Sequence, residues 1–151
     1  MVAAAGDIVL ASEVNGLFDP WVSYSPAWTS SGTAPAIVNG TLTGASMRVG
    51  NTVFFRVRWV AGSSTTFGTG NYFFSLPYTS VALSSFDIAV GSGVLIDVSL
   101  QVRYRVTVSL PTTTTLWINV GDNNPGVMQA TAPATWSNGD SLNIFGCYEV
   151  A

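Results

Sequence analysis

The sequence predicts an all-β fold: an antiparallel β-sandwich of jelly-roll type preceded by a short N-terminal helical leader. Three observations carry this. From Trp21 onward no stretch repeats its apolar residues at helical spacing. The vocabulary there is Thr, Val, Ser, Phe, Tyr and Trp, cut at short intervals by Gly, Pro and Asn. Several runs alternate apolar and polar residues, and closing two sheets is how short strands bury both aromatic sets.

The division falls at residue 20, with a leader over residues 1–20 and a β domain over 21–151. In the leader, Ile8-Val9-Leu10 can pair as a short strand. The Ser12 hydroxyl can cap a helix with Glu13 in its first turn, and Val14, Leu17 and Phe18 share one helical face. Asp19-Pro20 ends it, because a residue before proline avoids the helical region. One or two turns of helix are not stable alone, so this apolar face needs a surface to dock on.

Met47-Arg48-Val49, the turn Gly50-Asn51 and Thr52-Val53-Phe54-Phe55 predict a hairpin. Val53, Phe55, Val57 and Trp59 fall on one face; Phe54, Arg56 and Arg58 fall on the other. Residues 71–76 read as an aromatic strand stopped by Pro77. The run from Val94 to Leu110 alternates throughout, with Val94, Ile96, Val98 and onward on one face. Unbroken, it would span over ~50 Å at ~3.3 Å per residue, so a turn is expected near Ser99 to Gln101. Leu116 to Val120 is a further strand, Gly121 to Gly126 a turn, and Leu142 to Val150 the closing strand.

Only 9% of the 151 residues are charged, against roughly 25% in an average soluble protein, while mean hydropathy is +0.40. Burying part of so uncharged a surface against copies of itself is the expected remedy, a Thr/Ser/Asn-covered monomer the alternative. With five arginines, no lysine and a net charge of -3, a nucleic-acid partner is not expected. No apolar run reaches the ~18 residues of a membrane span, and the first ten residues lack the positive region of a signal peptide. The chain is therefore expected to fold in a cytoplasm and not to insert in a membrane. Cys147 has no second cysteine to pair with and reads as a small buried hydrophobe.

The inventory argues against catalysis. Without histidine no Ser-His-Asp or Cys-His arrangement forms, and without lysine no Schiff base does. Paired carboxylates could hydrolyse a glycan, but the eight acidic residues are scattered singly. Asp122-Asn123-Asn124 offers oxygens to a hard cation yet is also an ordinary turn sequence, so neither a metal nor a cofactor is expected. The Arg56/Arg58 and Arg103/Arg105 pairs are read as solvated or interface faces, salt-bridged to Asp87 or Asp97, ahead of the alternative that they are anion receptors.

Five pieces occur in order: Tyr24-Ser25-Pro26-Ala27-Trp28-Thr29, then Gly40-Thr41-Leu42-Thr43-Gly44, then Arg48 before Gly50-Asn51 and a Val-rich strand. Phe74-Ser75-Leu76-Pro77 follows, then Trp136 with Gly139-Asp140, Leu142 and Tyr148. Together they resemble the small β-sandwich module at the ends of bacteriophage tail fibres and related virion proteins. Gly6-Asp7-Ile8-Val9 with Ala11-Ser12-Glu13-Val14-Asn15 is similar to the short N-terminal segment of such fibres. The resemblance covers Trp21 to Ala151. It departs at Met47, where the family often carries an aromatic residue, and in having no long shaft.

The resemblance implies a jelly-roll homotrimer on a tail tip or capsid, partnered by other virion proteins and contacting host surface polysaccharide. Decoration of a capsid, or a head fibre with a stabilising role, is the alternative. Candidate sugar-binding residues are Tyr78, Asn123, Asn124 and Trp136, although Trp136 is read first as packing under the turn that launches the last strand. Ile8, Val9, Leu10, Val14, Leu17 and Phe18 are the candidate anchor or oligomer interface.

Overall fold

The computed structural model describes residues 20–82, 87–121 and 126–150. The leader residues Ile8, Val9, Leu10, Val14, Leu17 and Phe18, and the turn residues Asn123 and Asn124, lie outside the described residues. Among the described residues there is no helix. Ten strands form: β1 Val22–Tyr24, β2 Trp28–Ser30, β3 Thr41–Val49, β4 Thr52–Val60, β5 Tyr72–Ser75, β6 Ile88–Asp97, β7 Val102–Leu110, β8 Thr115–Val120, β9 Gly126–Val127 and β10 Ser141–Glu149. All pair antiparallel in one continuous sheet, in the order β1-β3-β4-β10-β6-β7-β8-β5-β2, with β9 on β8. The sheet is curled into a half-barrel.

The curl follows from the chain's connectivity. β1 and β2 are the two ends of the sheet, yet only Ser25, Pro26 and Ala27 separate them. A link that short reaches ~14 Å at most, so the sheet must bend until its ends approach. Trp28 of β2 then meets Trp59 of β4 across the interior, ring centroids 5.4 Å apart and edge-on, and meets Tyr72 at 5.1 Å. Trp59, Tyr72, Phe55 and Phe74 are fully buried, so this aromatic cluster fills the bend.

A second bend lies between β10 and β6. Gly146 faces Gly91 across the pair, and a Cβ on Gly146 would come within 2.4 Å of the Val90 carbonyl oxygen. Only glycine permits that approach. The β6–β7 register shifts between Ala89 and Gly91 beside it, a bulge that increases local twist.

The expected hairpins form. Gly50 takes φ 57° at the first central position of the Val49–Thr52 turn, the position at which a type II′ turn needs positive φ. The long alternating run breaks where expected, at Val98 to Gln101, with Gln101 at φ 57°. Asp97 supplies what glycine or proline usually would. Its Oδ1 accepts from Ser99 Oγ (2.7 Å) and from the Leu100 N–H (2.9 Å).

Three readings of the sequence are corrected. Val94 and Ile96 do not share a face with Val106, Val108 and Leu110; the buried Leu95 and Asp97 do. The turn has an even number of residues, so Val94 pairs with Arg105, and the two strands contribute opposite sequence parities to each face. Cys147 is exposed, because the odd-numbered residues of β10 point outward. Asp87 and Asp97 do not pair with the arginines. Asp87 accepts from Trp117 Nε1 (2.6 Å) and Asn119 Nδ2 (3.3 Å), and Asp97 closes its own turn.

Candidate functional face

The candidate residues from the sequence are not brought together. Trp136 is buried at 4% exposure, edge-on to Trp59 at 6.5 Å, with its Nε1 donating to the Gln129 carbonyl (2.6 Å). It packs beneath the turn that launches β10, the position the sequence favoured for it over a sugar platform. That turn is tied by Asp140, whose Oδ2 accepts from the Ser137 N–H (2.7 Å) and Oδ1 from the Val98 N–H (2.9 Å). Tyr78 is exposed, near the other end of β10. Its N–H donates to the Tyr148 hydroxyl (3.1 Å), which donates in turn to the Tyr78 carbonyl (2.8 Å). Trp136 borders Trp59, which pairs with Leu142, six residues before Tyr148. At ~3.3 Å per residue the two candidates stand ~20 Å apart along the strand.

What the fold does bring together is the outer face of β4, β10, β6 and β7. Register places Ser23, Ala45, Arg56, Phe145, Ser92, Thr107 and Asn119 in one transverse row. The adjacent row carries Thr43, Arg58, Asn143, Val94 and Arg105. Phe145 stands proud, 63% exposed, because its neighbours on β6 are the small Ser92 and Gly93. It forms the ridge between two open depressions. One, of about 690 Å³, lies beside Arg56, Arg58 and Asn143; the other, of about 440 Å³, lies beside Arg105, Thr107 and Asn119.

The face is positively charged at its two sides. Arg56 and Arg58 on β4, and Arg103 and Arg105 on β7, are four of the chain's five arginines, and all four are exposed. The Arg56 guanidinium lies 4.9 Å from the Trp21 ring centroid, a cation–π contact that steadies the side chain without neutralising it. Among the described residues none of these four forms an ion pair, and Asp87, Asp97 and Asp140 accept from other donors. The strand alternation placing Arg56 and Arg58 outward was legible in the sequence. Phe145 was not singled out, although its odd position in the closing strand puts it opposite the buried Leu142, Ile144 and Tyr148.

Four groups among the described residues have shifted proton affinities. Hydrogen bonds from Ser99 Oγ and from the Leu100 N–H hold the Asp97 carboxyl below its ordinary value. Burial raises the hydroxyls of Tyr24 and Tyr72, and raises that of Tyr148 to about 12. None lies on the outer face. Comparison with protein-family models, with curated proteins and with solved structures found no match.

Proposed function

We propose that the chain is a non-enzymatic surface protein of a bacteriophage virion, which attaches to host surface polysaccharide through the outer face of β4, β10, β6 and β7. The observation that carries this reading is Phe145, an exposed ring on the outer face, with an open depression on either side of it. An aromatic ridge flanked by Asn143, Thr107 and Asn119 suits a sugar chain, which presents apolar ring faces and hydroxyl edges alternately. The order of fibre-like motifs in the sequence supports the virion setting. The lack of histidine and lysine, and the commitment of Asp97 and Asp140 to turns, support binding rather than catalysis.

In this reading the two halves of the curled sheet act as the facing layers of a jelly-roll-like sandwich, and three copies assemble as a trimer on a tail tip. The leader, residues 1–20, anchors each copy to the particle. Full-length protein incubated with envelope polysaccharide from the host should bind it, and Phe145→Ala should weaken that binding. Retention of full binding by this variant would remove the face from the account.

One observation favours a second reading, decoration of a capsid. Val98, Leu100 and Val102 leave an exposed apolar tip on the β6–β7 hairpin (Leu100 is 63% exposed), a shape suited to insertion against another protein. Electron microscopy of intact particles separates the two, since tail tip and capsid floor are distinct positions.

A further inference from the structure

The chain is acidic overall, yet its outer sheet face is arginine-bearing on both sides of an apolar centre. We infer that the polysaccharide bound there is anionic, carrying carboxylate or phosphate groups that the arginines of β4 and β7 engage on either side of Phe145; this rests on the binding face proposed above.

The geometry defines what fits. β4 and β7 are three strand spacings apart, with β10 and β6 between them. At ~4.8 Å per spacing the two arginine rows stand ~14 Å apart, wider than a single small anion can bridge. An extended polymer crossing the strands meets Arg56 and Arg58 first, passes the Phe145 ring and Val94, and reaches Arg105. Guanidinium groups suit this task because they pair with carboxylate or phosphate through two parallel N–H donors and are weakly hydrated.

Among the described residues the acidic groups leave the first depression uncompensated. Among the described residues, Glu149 also points outward from β10, but four residues beyond Phe145, which is ~13 Å along the strand. Asp87 sits at the far edge of the second depression, occupied by the donors of Trp117 and Asn119. Anion contact should therefore be stronger at Arg56 and Arg58 than at Arg105.

Titration calorimetry of the full-length protein against polygalacturonate, a glycerol-phosphate teichoic acid and neutral dextran tests this. The expected result is binding to one or both anionic polymers, none to dextran, and a fall in affinity as sodium chloride rises. The two anionic arms distinguish carboxylate from phosphate as the recognised group. The double variant R56E/R58E should bind at least about tenfold more weakly, the loss of one or more charge-assisted hydrogen bonds. Its circular dichroism should match the parent's, since both side chains are exposed. Equal binding to dextran, or binding indifferent to R56E/R58E, would overturn the inference while leaving the binding face in place. Binding to none of the three polymers would also overturn it, and binding to host envelope polysaccharide then judges the underlying reading separately.

Discussion

Phe145 of β10 stands directly opposite Arg56 of β4, and both side chains point away from the core. Neither is needed to hold the sheet together. Replacing Phe145 or Arg58 with alanine should therefore change stability by no more than ~0.5 kcal/mol, the ordinary range for surface positions. Arg56→Ala should cost slightly more, because Trp21 loses a cation–π contact worth ~0.5–1 kcal/mol at an exposed site. Urea denaturation of the three variants checks this, and a loss above ~2 kcal/mol would mean the face has a structural role.

The interior should behave oppositely. Trp59 is fully buried and edge-on to both Trp28 and Trp136, so it ties β4 to the end strand β2 and to the turn that launches β10. Trp59→Ala should cost ~3–5 kcal/mol, a large part of the ~5–15 kcal/mol that keeps a domain folded. The expected readout is a much lower urea midpoint, with loss of near-ultraviolet dichroism from the tryptophan cluster.

Gly146 tests the bend between β10 and β6. A methyl group there meets the Val90 carbonyl and the Gly91 Cα, both backbone, which cannot rotate away. Gly146→Ala should destabilise by ~1–3 kcal/mol through overpacking, although alanine is a small residue that forms strand readily enough elsewhere. Gly126→Ala, with open space around it, is the control and should be near neutral.

The pH dependence of stability has a definite sign at each extreme. Tyr24, Tyr72 and Tyr148 have folded pKa values raised by burial, that of Tyr148 to about 12. The folded state therefore holds protons that the unfolded chain releases near pH ~10. Their contribution is complete below pH ~10 and declines as pH rises toward and through the folded values. Asp97 has the opposite sign. Its folded value is lowered, so its contribution is present above the unfolded value of ~3.9 and lost as pH falls through the folded one. Asp97→Asn should remove the acid-side loss that Asp97 contributes, and thermal melts across pH would show it.

Much of this fold was written in local pattern. The alternation in β4, the Gly50-Asn51 turn and the Pro77 stop each rest on a residue whose backbone preference is strong. The β6–β7 break was also legible, but only from length. What could not be read was which face of β6 turns inward, because its parity relative to β7 depends on the residue count of the turn between them. That one ambiguity hid the outer face, since a single unbroken alternation sets Val94 and Arg105 on opposite faces. Trp136 was open to two readings for a different reason. A tryptophan before an Asn-Gly-Asp turn looks the same in sequence whether its ring lies over the turn or beneath it.

The central claim is that ligand meets this protein on the outer face of β4, β10, β6 and β7. The most direct measurement is amide chemical-shift mapping of the full-length protein on addition of host envelope polysaccharide. The account predicts that the largest shifts fall at Arg56, Arg58, Asn143, Phe145 and Ser92, with the buried Trp136 region unmoved. Shifts confined to the Tyr78 loop or to the Val98–Gln101 turn, with the arginine rows silent, would contradict it.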